Sequence, residues 1–164
     1  MFVSPTYGKM GFNELCVRLK DYFDKMKSTE SPIQLIIGTD SQNFSDTKIV
    51  RVICMLCEGH GGIFFYEITR QMRINDVRTK LHVETNDSLG LATRLVDNLE
   101  ENEAFHEMYL SCPISIHIDA GNSEKGKTKD LIPELVGWVK SMGYDCETKP
   151  DSFVASTIAD RISK

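Results

Sequence analysis

The stretch Ile33 to Gln42, IQLIIGTDSQ, constrains this chain more than any other, because it is an aliphatic run of strand length that ends in a single aspartate. Bounded by Pro32 upstream and Gly38 downstream, the run reads as a strand buried on both faces, and so as a central strand of a sheet. At the carboxyl end of such a strand Asp40 can face the crevice where open α/β sheets bind ligands. As a turn aspartate it would instead bond locally to Ser41 and Gln42.

The rest of the chain supplies elements to surround that strand. From Gly11 to Lys27, residues Phe12, Leu15, Leu19, Tyr22, Phe23 and Met26 recur at spacings of three and four, the pattern of an amphipathic helix. Residues 1–30 therefore read as an N-terminal helical addition. Lys48 to Glu58 and Ile63 to Met72 read as second and third strands joined by a turn at Gly59 to Gly62, which makes an antiparallel meander. Asp76 to Glu101 reads as a long helix that could break around Asn86 to Gly90. In Ile114 to Asp119, isoleucines alternate with Ser115, His117 and Asp119, so a fourth strand also ends in an aspartate. A helix from Leu131 to Met142, a short strand from Tyr144 to Thr148 and a last helix from about Asp151 follow. The expected fold is α/β: one domain over residues 1–164, with a mixed five-stranded sheet in which the first, fourth and fifth strands are parallel and adjacent.

Composition narrows the class. The 164 residues are 41% hydrophobic, enough for a substantial core, and the net charge of -5 argues against a dedicated basic nucleic-acid binder while leaving room for local basic patches. The five cysteines sit mostly in apolar segments and suit a reducing compartment without disulfides. Cys54 and Cys57 form a CxxC, but in a strand they point to opposite faces, and no second such pair completes a zinc site. No signal peptide or long apolar run is present, so a cytoplasmic protein with no membrane span is expected.

The element order, with an aspartate ending the first and fourth strands, resembles the ribonuclease H-like superfamily. The strings IIGTDSQ, KLHVET, HIDAG, GKTKDLIPELVGWVKSMG and KPDSFVASTIADR, spread over the whole chain, further resemble the YkuK-type family of uncharacterised bacterial proteins. The resemblance implies carboxylates at the ends of the first and fourth strands, on the first helix of the core and near the start of the last helix. Asp40 and Asp119 match the strand positions, and adjacent strands would bring their ends within about 5 Å. Glu84 matches the helix position, on the Leu91 and Leu95 side of its helix, and Asp87 projects further from that stripe. For the last helix, Asp151 shares the side of Val154, Ala155, Ile158 and Ile162, and Asp160 is the reserve on the opposite face of a regular helix. Converging carboxylates repel unless a proton or cation is shared, and hard oxygen ligands suit one or two Mg²⁺ or Mn²⁺ ions.

Gly121 to Thr128, GNSEKGKT, matches the phosphate-loop expression GxxxxGK[ST] between a strand and a helix. A nucleotide-binding fold of that type needs further parallel strands downstream, and only Tyr144 to Thr148 is left to supply one. Lys125, Lys127 and Lys129 are better read as phosphate contacts beside the carboxylates, with Arg73 and Lys80, and also Arg70 and Arg78, on another side. His117 alternates onto the Asp119 side but reads first as a core histidine. The expected function is a metal-dependent phosphodiesterase acting on nucleic acid, with Asp40, Glu84, Asp119 and Asp151 as catalytic metal ligands. The alternative is a non-catalytic nucleic-acid or protein-binding module on the same fold.

Overall fold

Seven strands are present where the sequence reading expected five: β1 (Phe2–Ser4), β2 (Gly8–Met10), β3 (Ile33–Asn43), β4 (Thr47–Cys57), β5 (Gly61–Gln71), β6 (Ile114–Ile118) and β7 (Asp145–Glu147). The structure is a computed structural model that describes residues 1–121 and 128–164. The strands form one sheet in the order β2-β1-β5-β4-β3-β6-β7. Strands β3 to β5 are the antiparallel meander, while β3 with β6 and β6 with β7 are parallel. The two unexpected strands come from the segment assigned to a helical addition. Each has only three residues, too few for a period of two to be read from sequence, and they are recruited by tertiary pairing of Val3 with Tyr66 on β5.

The helices are α1 (Phe12–Met26), α2 (Val77–Glu101), α3 (His106–Ser111), α4 (Leu131–Ser141) and a C-terminal helix, π-wound over Val154–Ala159 and continuing as α5 (Asp160–Ser163). Helices α1, α2 and α4 cover one face of the sheet, where Leu15, Leu19, Leu95 and Leu135 pack with Leu35, Ile37 and Ile116. The C-terminal helix covers the other face, where Val154 and Ala159 meet Ile36, Val50 and Val52. Burial on both faces is why the centre of β3 shows no polar alternation. Cys54 and Cys57 fall into these two separate cores, and all five cysteines are free.

Helix α2 runs unbroken for 25 residues, so the possible interruption at Asn86 to Gly90 does not occur. Asp76 caps its start by accepting the Thr79 backbone N–H at 2.8 Å, and Gly90 sits on the exposed side, where it adds no turn. At Gly38 of β3 a Cβ would lie 2.8 Å from the backbone nitrogen of Ala155, so the C-terminal helix can lie this close to the sheet only over a glycine. Among the described residues no helix is long and apolar enough to cross a membrane.

Candidate functional site

Strand β6 stops at Ile118, which pairs with Thr39 of β3. Asp40 is therefore the first β3 residue beyond the paired region, and Asp119 follows at the same level on the neighbouring strand. Side chains along this end of β3 alternate between two partners. Thr39 Oγ1 lies 2.8 Å from Ser88 Oγ on α2, and Ser41 donates to Glu84 Oε1 on the same helix at 2.6 Å. Asp40, between them, points to the opposite face and accepts a hydrogen bond of 2.6 Å from Ser163 of the C-terminal helix. Two layers are thus tied to one strand end through three consecutive residues.

The acids influence one another although they reach the site from four elements. Burial raises the Asp40 carboxyl above its usual range; the Ser163 hydroxyl and Lys80 offset this, while Asp119 and Asp160 push it further up. Glu84 is pushed up to about 8, first by burial, against Lys80 and the Ser41 hydroxyl, with Asp40 and Asp119 adding to the rise. It is protonated over much of the neutral range. Glu84 and Asp119 also line one tight crevice, too narrow for a water molecule, with Thr39, Thr85, Ser88 and His117. Three lysines stand against the acids: Lys80 Nζ at 3.7 Å from Glu84 Oε1, Lys149 Nζ at 3.0 Å from Asp119 Oδ1 and Lys164 Nζ at 2.6 Å from Asp160 Oδ2.

Of the carboxylates expected together, Asp40, Glu84 and Asp119 act on one another. Asp151 lies exposed in the turn before the C-terminal helix, and its charge acts on His117. Asp160, the reserve, is the one that acts on Asp40. The helix begins at Phe153, after Asp151, and its i→i+5 winding over Val154–Ala159 rotates later residues away from their regular-helix positions. Ala155, Ala159 and Ser163 become the buried line. His117 is a buried structural group: Val154 donates its backbone N–H to Nδ1 at 3.3 Å, and burial pulls the imidazole down to about 4, so it stays neutral. It thereby satisfies one of the free N–H groups at the start of the C-terminal helix.

The expected phosphate contacts are scattered. Lys125 and Lys127, and all but the ends of the phosphate-loop match at Gly121 to Thr128, lie outside the described residues. Lys129 is exposed just before α4. Arg73 donates to Phe44 O and Asn75 Oδ1, Arg70 pairs with Asp46, and Arg78 pairs with Glu134. Of the three expected residues that are described, Lys129, Arg73 and Lys80, only Lys80 stands beside the acids. Sequence reasoning missed Ser41, Ser163, Lys149 and Lys164 as partners of the acids. For Lys164 a signal existed in its i,i+4 spacing from Asp160, and for Ser41 in its adjacency to Asp40. Lys149 reaches Asp119 only through the parallel pairing of β6 with β7.

By donor type this site suits a hard divalent cation, since the ligands are oxygens, but Asp119 Oδ1 already faces the Lys149 ammonium at 3.0 Å. The spacing is different. Among the described residues no three His, Cys, Asp or Glu side chains stand close enough together to hold a metal ion. Asp40 and Glu84 are each held by a serine hydroxyl, and Glu84, Asp119 and Asp160 each face an ammonium group.

Residues 14–164 match the sequence-family model described as Ribonuclease H-like. The chain is also similar to the uncharacterized protein YkuK of Bacillus subtilis (strain 168), at 31% identity over 171 residues that span 100% of this chain and 97% of the relative. No solved structure gives a significant match.

Proposed function

The chain belongs to the ribonuclease H-like family, in its YkuK-type branch, and from that premise we propose that it is a phosphodiesterase that cleaves nucleic acid with Mg²⁺ or Mn²⁺. What supports the reading is that Asp40 and Asp119 lie at the end of the central parallel strand pair and that the charges of Asp119 and Asp160 act on Asp40, and those of Asp40 and Asp119 on Glu84. Nothing in packing requires four acids there, and their mutual repulsion opposes folding. As they stand these acids do not surround a common point among the described residues, so on this reading Asp40, Asp119 and Asp160 would have to draw closer together to hold the cation. When bound, it supplies Lewis-acid stabilisation of the charge that develops on phosphoryl and leaving oxygens. The chain's own residues do the positioning. Ser163 and Ser41 orient Asp40 and Glu84, and Lys80 and Lys149 lie where they can meet the phosphates of a bound strand.

Asp40→Asn is expected to abolish metal-dependent cleavage while the protein remains folded, because the amide keeps an acceptor for Ser163 and loses the charge. The assay sets parent and variant against single-stranded, duplex, hybrid and branched substrates with each metal. Absence of cleavage by the parent on all of them removes the catalytic reading. A second reading, a binding module that has kept the fold but not turnover, is favoured by one observation, the hydroxyl and ammonium groups that already occupy the acids. It expects nucleic-acid binding that Asp40→Asn leaves intact and no cleavage under any metal.

A further inference from the structure

The tip of the β3–β4 hairpin and the connector from β5 to α2 are bonded into one unit. Asn43 Nδ2 donates to Ile74 O at 2.7 Å, and Asn43 Oδ1 accepts from Thr47 Oγ1 at 2.7 Å. Thr47 Oγ1 in turn accepts the Ile74 backbone N–H at 2.8 Å. Arg73 reaches across, donating to Phe44 O at 2.9 Å and to Asn75 Oδ1 at 3.0 Å, and Arg70 pairs with Asp46 at 2.7 Å. This braced scaffold holds apolar side chains out in solvent: Phe44 is 44% exposed and Met72 is 90% exposed. Beside them an open hollow of about 620 Å³ is lined by Met72, Arg73, Ile74 and Asn75.

Charge decides what such a surface suits. Of the two acids in these segments, Asp46 is paired with Arg70, and Asp76 is engaged in capping α2. Arg73 has no ion pair among the described residues, and its two hydrogen bonds go to neutral oxygens. A guanidinium carries five N–H donors, so Arg70 and Arg73 can each take a phosphate oxygen as well. An apolar protein surface laid here would bury the Arg73 charge without a counter-charge, at high cost. A nucleic-acid strand offers both partners at once, a base face for the Phe44 ring and phosphates for the arginines. A duplex keeps its base faces within its own stack, so a single strand is the form that can present one. Phe44 lies four residues past Asp40, at most about 14 Å along the chain, the length of about four stacked nucleotides.

We propose that the β3–β4 tip and the β5–α2 connector form a platform for single-stranded nucleic acid, on which an unpaired base stacks against Phe44, Arg70 and Arg73 hold the flanking phosphates, and the hollow beside Met72 takes the neighbouring base. The proposal rests on the reading of nucleic acid as the ligand of this chain and on nothing at the acids. It gives that reading a preference for unpaired strands.

The test is fluorescence anisotropy in EDTA with labelled single-stranded DNA and RNA oligonucleotides and the matched duplexes. It compares the parent with Phe44→Ala, Phe44→Tyr, Met72→Ala and Arg73→Gln, with Leu110→Ala as a remote exposed control and thermal melts to check folding. The parent is expected to bind single strands more tightly than duplex. Phe44→Ala should weaken single-strand binding about tenfold or more, Phe44→Tyr should keep it because the ring remains, and the control should match the parent. Arg73→Gln should weaken binding and lower the salt slope by about 0.7. If the parent binds single strands and Phe44→Ala, Met72→Ala and Arg73→Gln all equal it, the platform is overturned and the nucleic-acid reading stands. Equal binding of duplex and single strand, weakened equally by Phe44→Ala, overturns the single-strand assignment. If no nucleic acid binds the parent, both are overturned. Sedimentation of parent and Phe44→Ala covers the remaining occupant: a parent dimer that the variant dissociates would make this patch a contact between copies and overturn the proposal.

Discussion

At the scale of single residues, Glu84 is the most informative group in the molecule. A carboxyl buried against α2 and the sheet, with one serine hydroxyl donating to it and a lysine at 3.7 Å, keeps its proton to about pH 8. Its folded pKa lies above the unfolded value, so its contribution to stability is complete below the ordinary carboxylate range. That contribution is lost as pH rises through about 8, because the unfolded chain gives up the proton first. Denaturant melts of the parent between about pH 5 and about pH 9 are expected to lose on the order of a few kcal/mol to this group. Glu84→Gln, which keeps an acceptor for Ser41, should flatten that loss. An unchanged pH slope in the variant would show that Glu84 is ionised in the folded protein at neutral pH.

At the scale of elements, β3 and α2 each hold a glycine whose role follows from its surroundings. Gly38 lets the C-terminal helix rest on β3, since a Cβ there would come within 2.8 Å of the Ala155 backbone. That contact is also what brings Ser163 within reach of Asp40. Gly38→Ala is expected to cost about 1–3 kcal/mol through overpacking and to weaken metal-dependent activity together with stability. Gly90 meets nothing within 4 Å, so Gly90→Ala is expected to stabilise by about 0.5–1 kcal/mol through helix propensity alone, with activity unchanged. Denaturant midpoints of the two variants, moving in opposite directions, check both.

At the scale of the whole molecule, the proposed metal-dependent reading makes a statement about stability, because Asp119 and Asp160 raise the Asp40 carboxyl against the relief given by Ser163 and Lys80. Asp40→Asn is therefore expected to leave metal-free stability unchanged or slightly raised. Mn²⁺ at ten times its dissociation constant should add about 1.4 kcal/mol to the parent, a rise in Tm of roughly 3 to 6 °C for a domain of this size, and little to the variant. Thermal melts of both proteins with and without Mn²⁺ measure the difference. An equal shift in the two, or severe destabilisation of metal-free Asp40→Asn, would make Asp40 a structural turn residue.

The long, periodic segments could be read before any coordinates because their burial is written into local composition. The both-face burial of β3 follows from Leu35, Ile36 and Ile37, the stripe of α2 from Leu81, Leu91, Leu95 and Leu99, and the apolar face of β6 from three alternating isoleucines, although Ser115 and His117 on its other face are buried as well. Asp40 and Asp119 belong with these, since a polar residue at the end of an apolar run is visible as an exception. The short strands Phe2–Ser4 and Gly8–Met10 are different, because three residues carry no period and only the open edge of β5 makes them strands. The action of Asp160 on Asp40 belongs to tertiary structure too. A regular helix would have favoured Asp151, but close packing of Val154 and Ala155 over Gly38 accompanies a late start and wide turns that bring Asp160 and Ser163 to Asp40. Periodicity along the chain determines which face a segment buries; where an element starts and how it is wound depend on the surface it lands on, and those decided which groups act on Asp40.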